Sequence, residues 1–305
     1  MIGVIASHQI LSLRRQRILT MVSATLLGVT VLAGVLGWSS HQTIVGVYDE
    51  AVKLLATRGA GAPPNPFILK PELAMLSNMM IYVTMIAALV AIVLGHASVA
   101  DDEANGIGRL LFSRQVTRTQ YAAGKLSASA MVLGATLAAC GVLSVAAVAL
   151  VNRTIPSATS IARLLAFYAF SWMYLMLFVA IGMVTVLVAR RRSLGLLSAI
   201  GIWLVVTFAL PQFTSGLRPT QSLNPIVDPV STSQAFFRVT ARARPYSVAE
   251  QFKEASGRIL ATAPTESLSD TARRILPIAV VLALLVIVFV RLVRIHDFSQ
   301  SGHRD

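Results

Sequence analysis

The feature that most constrains this chain is a set of long apolar stretches without a single charged residue. There are six, at about 18–38, 74–100, 126–151, 164–188, 194–210 and 275–290. A helix rises about 1.5 Å per residue, so the first four cross a hydrocarbon core of about 30 Å and the last two need a short extension. Backbone polar groups in lipid must pair within their own segment, which favours helices. We therefore predict an all-α integral membrane protein with six transmembrane helices in one domain, 1–305, the fifth helix ending at Pro211.

Charge is arranged around these spans. Only 13% of the 305 residues are charged, roughly half the share of a soluble protein. The net charge of +13 comes mostly from bases at span ends, where they contact lipid headgroups, so membrane lipids are expected partners and nucleic acid is not. Arg14, Arg15 and Arg17 precede the first span, and the triplet Arg190–Arg192 follows the fourth. By the positive-inside rule both termini are expected in the cytoplasm, with the first span a retained signal anchor.

A further helix is predicted before the first span. Apolar residues alternate there with polar ones, at Ile2, Ile5, Ile10 and Leu13. This pattern predicts a short N-terminal interfacial helix lying on the inner leaflet. The alternative is an N-terminal extension of the first span.

The long outer loop 211–274 also contains a helix signal. Ser247 and Glu250 have capping-box spacing, and one helical face then carries Val248, Phe252, Ala255 and Ile259. We predict an outer amphipathic helix over about 248–261, before the last span, resting on the outer membrane surface or on neighbouring helices.

Chemistry-bearing motifs are missing from the sequence. It has no Walker A loop and no HExxH, CxxC or GxSxG pattern, and its five histidines are scattered. The one cysteine, Cys140, lies in an apolar span and is read as a small core residue. We therefore expect no catalytic residue, no cofactor and no metal site in this chain. The uncharged spans also disfavour proton-coupled or sodium-coupled transport.

The segment 101–125, between the second and third spans, is the most elaborate inner loop. Gly106 and Gly108 allow a sharp reversal, and Arg109–Phe112 then forms a short apolar ridge flanked by bases. So short a helix is marginal alone in water and becomes sensible when docked on another protein. Thr117 and Gln120 form a capping box that restarts the chain as the third span. The alternative is an ordinary solvated turn.

These residues resemble the signature of type-2 ABC exporter permeases. The resemblance rests on Glu103, Gly106, Arg109-Leu110-Leu111, Ser113-Arg114, Val116-Thr117-Arg118 and Gly124-Lys125. Ile107 and Gln115 depart from the threonine and proline usual in that family. In overall plan the chain is similar to permeases of multi-gene export systems, including the copper-processing type that serves nitrous oxide reductase.

The resemblance implies a bacterial inner-membrane permease subunit of an ATP-driven ABC export system. It implies a dimer of permeases, expected as a homodimer, with two cytoplasmic ABC ATPase subunits that bind ATP and Mg. The segment 101–125 would hold the cytoplasmic coupling helix, and ATPase coupling is assigned to Glu103, Gly106, Gly108, Arg109, Leu110, Leu111, Phe112, Arg114 and Arg118.

Small residues mark a possible dimer interface, because they let helices approach closely. They are Gly28, Gly34, Ser198 and Gly201, and packing within one subunit is equally open for each. Two other functions remain as alternatives. One is a membrane scaffold or sensor that anchors a soluble partner through 101–125, and the other is a lipid-phase transferase. The sequence names no cargo.

Overall fold

The computed structural model describes residues 1–58, 61, 72–113, 116–189, 191–215, 239–262 and 268–296. Every regular element in this part of the chain is helical. The helices are α1 (Ile2–Arg15), α2 (Ile18–Thr57), α3 (Glu72–Ala104), α4 (Ile107–Phe112), α5 (Arg118–Asn152), α6 (Ala158–Val188), α7 (Arg192–Thr214), α8 (Val248–Ile259) and α9 (Leu268–Ile295). A short 3-10 helix, Ala241–Tyr246, precedes α8.

Six of these helices, α2, α3, α5, α6, α7 and α9, are long and apolar enough to cross a membrane. This confirms the predicted all-α fold with six spans. The helices extend past the apolar stretches because polar residues continue them at one or both ends. The 40 residues of α2 measure about 60 Å, twice the hydrocarbon core, and its far end carries Asp49, Glu50 and Lys53.

The spans alternate in direction, which gives the bundle two distinct ends. We call the end that holds α1, residues 105–113 and His296 the N-terminal face. Contacts join its parts, since Arg118 at the start of α5 donates a hydrogen bond to the backbone carbonyl of His296. At the opposite face, Ser160 of α6 donates to Glu72 at the start of α3 across 2.6 Å.

Helices α3 and α6 form the centre of the bundle through two glycines. A Cβ at Gly95 would lie 2.8 Å from the carbonyl carbon of Val179, and one at Gly182 would lie 2.9 Å from the His96 nitrogen. Real Cβ atoms essentially never come this close to another heavy atom, so only glycine allows the backbones of α3 and α6 to approach each other here. The result is that α6 is the most buried of the six spans.

Two spans contain a π-turn, Val83–Ala87 in α3 and Val205–Ala209 in α7. The prediction that Pro211 ends the fifth span is wrong, because α7 continues through Pro211 to Thr214 and contains the second π-turn just before the proline. A proline clashes with the carbonyl four residues earlier, here Thr207. The wider π-turn at that position removes the regular α-helical geometry in which the clash would arise.

The helix predicted over about 248–261 forms as α8, Val248–Ile259, but it is anchored differently from the prediction. The Ser247 side chain makes no cap hydrogen bond, and the Glu250 carboxylate accepts a hydrogen bond from Thr214 of α7 at 2.9 Å. The helix packs into the bundle rather than along its edge. Its Phe252 ring stacks on Phe170 and Tyr174 of α6, with centroids 5.1 and 4.2 Å apart.

The glycine contact between α3 and α6 generates a prediction. Gly95→Ala should lower the stability of the purified protein by roughly 1–3 kcal/mol, because the added methyl group overpacks the helix contact. Gly134→Ala is the matched control, since a Cβ there meets nothing closer than the Trp172 Nε1 at 3.6 Å. Thermal unfolding in detergent measures both. Equal melting temperatures for the two variants would contradict the assigned packing.

Candidate coupling site at the N-terminal face

The segment between α3 and α5 folds as a turn, a short helix and a cap. Gly106 has a φ of 62°, the left-handed conformation that favours glycine, and it reverses the chain after α3. Helix α4 follows at once. Thr117 and Gln120 form the predicted capping box, with both reciprocal hydrogen bonds at 3.2 Å. The sequence signals therefore account for the backbone path of this segment.

Directly above the turn lies a buried ion pair between α3 and α5. Lys125 Nζ is 2.7 Å from Asp102 Oδ2, and the two side chains are only 2% and 6% exposed. The Tyr121 hydroxyl donates to the same carboxylate oxygen at 2.9 Å. Lys125 also donates to Gln9 Oε1 of α1. We call these four residues the polar cluster.

The polar cluster holds three helices in one geometry. Desolvating two charges is expensive, and the attraction between them offsets the cost only when they stay in contact and their other bonding positions are filled. Tyr121 fills one such position on Asp102, and Gln9 fills one on Lys125. A relative movement of α1, α3 or α5 at this level would leave a buried charge without its partner.

Helix α1 also packs closely against α5, next to the hydrogen bond between Gln9 and Lys125. A Cβ at Gly124 would lie 2.7 Å from Ile5 Cβ, so α1 rests directly on the α5 backbone. Helix α1 is separate from α2, with the break at Gln16 and Arg17, where Arg17 has a φ of 61°. An N-terminal extension of the first span is therefore not what forms. The inward side of α1 carries its buried residues, Ile5, Ala6, Gln9 and Leu13.

A second set of contacts ties α9 to the same place. The Arg118 guanidinium donates to the carbonyls of Val293 at 3.1 Å and Arg294 at 3.0 Å. Carbonyls in the last turn of a helix have no partner within the helix, so Arg118 caps α9. His296 Nε2 lies 2.8 Å from Glu103 Oε1 at the end of α3. Two predicted coupling residues, Glu103 and Arg118, thus hold α3, α5 and α9 together.

The predicted ridge is partly turned toward the protein itself. Phe112 meets the Tyr121 ring edge-on at 5.7 Å, and Arg118 lies over the Phe112 ring at 5.4 Å. Leu111 and Phe112 are half-buried and pack against the core. These two residues therefore anchor α4 to α5. The surroundings of Gly108, the side chains of Arg109 and Leu110, and the whole of Arg114 lie outside what the structure describes.

The sequence reading missed the importance of Asp102, Tyr121 and Gln9, and counted Lys125 only as an inner base and a signature residue. A signal was present. Tyr121 and Lys125 are four residues apart, which places them on one face of a helix, and an acidic residue ends the preceding span. An acid and a base flanking a tight reversal between two spans are positioned to pair.

The four candidate interface residues differ in their surroundings. Gly34 is buried, and a Cβ added there would lie 3.5 Å from Ala147 Cβ of α5. A Cβ added at Gly28 or Gly201 would meet no atom within 4 Å apart from the backbone of its own helix. Ser198 is exposed, and its hydroxyl donates within its own helix to the Leu194 carbonyl at 2.7 Å.

No group of three or more His, Cys, Asp or Glu side chains within the described ranges is placed to hold a metal ion. The clustered charges at the N-terminal face form ion pairs with one another, Asp102 with Lys125 and Glu103 with His296. The arrangement is mechanical, because it joins the ends of four helices around a short one.

Comparison with known families identifies this architecture. The chain matches the family described as ABC-2 family transporter protein over residues 4–294. It therefore belongs to that family, as a membrane-spanning permease subunit of an ABC transport system that works with an ABC ATPase. A comparison with curated proteins finds no significant match.

The polar cluster makes a stability prediction. Lys125→Met should cost about 3–5 kcal/mol, because it leaves the Asp102 carboxylate buried without its partner. Adding Asp102→Asn should recover most of that loss, since the amide stays neutral and still accepts the Tyr121 hydrogen bond. Unfolding in mixed micelles measures the free energies. Lys53→Met, at an exposed lysine of α2, is the control and should change stability by no more than about 0.5 kcal/mol.

If the double variant were as unstable as the sum of the two single changes, the two side chains would not interact. The buried pair would then not be what holds α3 to α5.

Proposed function

We propose that this chain couples ATP hydrolysis by two separate ABC ATPase subunits to export of a cargo across the bacterial inner membrane. The ATP and Mg sites belong to the partners, and the permease supplies the path and the moving helices. The N-terminal face is cytoplasmic in this proposal, so both termini lie on the side where the ATPases dock.

The observation that carries the proposal is the set of contacts around α4. The short helix lies in sequence between the turn after α3 and the cap before α5. Its Phe112 packs on Tyr121 of α5, whose neighbours in the polar cluster reach α1 and α3. Arg118 and Glu103 add the end of α9. A force applied at α4 therefore acts on four other helices at once.

The same contacts suggest how movement would spread. Buried ion pairs and close-packed glycines resist gradual deformation, so the cluster would move as one body. The π-turns in α3 and α7 interrupt regular helix geometry farther from the face and are the positions where the spans would bend. Closure of the ATPase dimer would thus tilt α3 and α5 and open a path at the permease interface.

A homodimer is proposed through the faces of α2 and α7. Gly28 and Gly201 leave open space at those faces, and neighbouring exposed apolar residues include Val31, Val35, Leu197 and Val205. Small residues beside apolar ones are typical of helix–helix contacts in lipid. Gly34 is excluded from this proposal because it is buried inside the subunit.

Docking on α4 is tested by a charge at its centre. Leu110→Asp should reduce association with the ABC ATPase that serves this permease at least tenfold, because a carboxylate replaces an apolar side chain. Leu110→Met, which keeps the residue apolar, should bind normally. Co-purification and stimulated ATPase activity are the measurements. Leu110 is preferred to Phe112, since Phe112 contacts Tyr121 and its loss would also disturb the fold.

Normal co-purification and turnover of the Leu110→Asp protein would contradict the proposal. Binding of a partner that has no ATPase activity, in a nucleotide-independent way, would favour the scaffold alternative.

A further inference from the structure

Several polar atoms deep in the bundle lack a hydrogen-bond partner among the described residues. Six are hydroxyls of buried side chains, and four of these, Ser171, Tyr174, Thr207 and Ser256, lie on α6, α7 and α8. Buried hydroxyls in native proteins are nearly always hydrogen-bonded, so each unpaired one requires an explanation. Other hydroxyls in this bundle are hydrogen-bonded. The Tyr168 hydroxyl, for example, lies 2.6 Å from the Ser144 hydroxyl and 3.3 Å from the Cys140 carbonyl oxygen.

The unpaired groups lie on surfaces that face each other. Tyr174 of α6 interacts with Thr207 of α7, although the geometry does not make a hydrogen bond. The Tyr174 ring stacks on Phe252 of α8, and Ser256 follows Phe252 by one helical turn. Ser171 precedes Tyr174 by one turn on α6. The four hydroxyls therefore surround the place where α6, α7 and α8 meet.

The backbone at this place is also unusual. Thr207 belongs to the π-turn Val205–Ala209, and α8 contacts the π-turns of both α3 and α7. Single π-turns inside α-helices are frequent at functional sites. The Trp203 Nε1, one turn before Thr207, is a further buried donor without a hydrogen-bond partner in the described chain.

The chemistry of these groups indicates what they bind. Hydroxyls and an indole N–H are neutral, and stacked rings of Phe170, Tyr174 and Phe252 provide flat apolar surfaces beside them. Three of the four charged side chains of α8 have identified partners within the protein. Glu254 pairs with Arg274 and Arg244, and Lys253 interacts with Glu250, which accepts from Thr214. A charged ligand group would find no free counter-charge among these residues.

We propose that Tyr174, Thr207 and Ser256 form a binding site for the neutral, hydrogen-bonding headgroup of an amphiphilic cargo. A hydroxyl, ether or amide group would fill the unpaired positions, and the aromatic rings would contact the adjoining apolar part. The inference rests on the proposed transport function, because it names the class of cargo.

The site is tested on the full-length permease alone, in lipid nanodiscs without ATPase. The probe is octyl β-glucoside carrying a photoreactive diazirine, with unlabelled octyl glucoside, octyltrimethylammonium and octyl sulfate as competitors. We expect saturable labelling of α6, α7 and α8 that only the neutral glucoside displaces. Tyr174→Phe should weaken probe binding about tenfold, the usual effect of losing one hydrogen bond.

Tyr168→Phe is the matched control, on the same helix and with a hydroxyl that is already bonded. It should lower the melting temperature and leave labelling intact. Tyr174→Phe should not lower the melting temperature, because removing an unpaired buried hydroxyl costs no hydrogen bond. The two tyrosines thus separate a binding role from a structural one.

Three results would overturn the site: labelling that does not saturate, labelling unchanged by Tyr174→Phe, or equal displacement by the charged competitors. A fall in melting temperature as large for Tyr174→Phe as for Tyr168→Phe would also overturn it, by showing that structural water or the chain satisfies the hydroxyl. None of these results depends on the ATPase, so they are distinct from a failure of Leu110→Asp to weaken ATPase association.

Discussion

The buried ion pair between Asp102 and Lys125 is the interaction on which the N-terminal half of the molecule depends. It lies where α3 leaves the bundle and α5 enters it, and it recruits Gln9 of α1 and Tyr121 of α5. Replacing a buried pair by apolar residues is often neutral for stability, so its value here is positional. It fixes the ends of three helices around a short fourth helix that is otherwise too small to hold a conformation alone.

The rest of the bundle continues this rigid connection. Gly95 and Gly182 bring α3 into backbone contact with α6, and α6 in turn carries the aromatic stack under α8. The N-terminal face and the proposed headgroup site are therefore joined through two closely packed helices. The π-turns of α3 and α7 both contact α8, so bending at these turns would reach the site directly.

Sequence reasoning went far on this protein where single-residue chemistry decides the outcome. Uncharged stretches defined the six spans, the capping pair defined the start of α5, and Gly106 marked the reversal. It failed where distant segments meet. The residues near each position in the sequence do not indicate that Gln9 bonds to Lys125 or that Gly95 packs on Val179. They also do not indicate that the Glu250 carboxylate bonds to Thr214 in place of capping α8. Pro211 was misread because a π-turn, set by packing, accommodates it.

The central claim is that the polar cluster makes α1, α4 and the adjoining span ends one rigid body. Spin-label distances in a Cys140→Ala background test it most directly, with labels at the exposed positions Asn105, Leu11 and Thr159. Binding of ATP to the assembled transporter should leave the Asn105–Leu11 distance unchanged and shift the distance from Asn105 to Thr159 at the opposite face. A change between Asn105 and Leu11 as large as that to Thr159 would contradict the account.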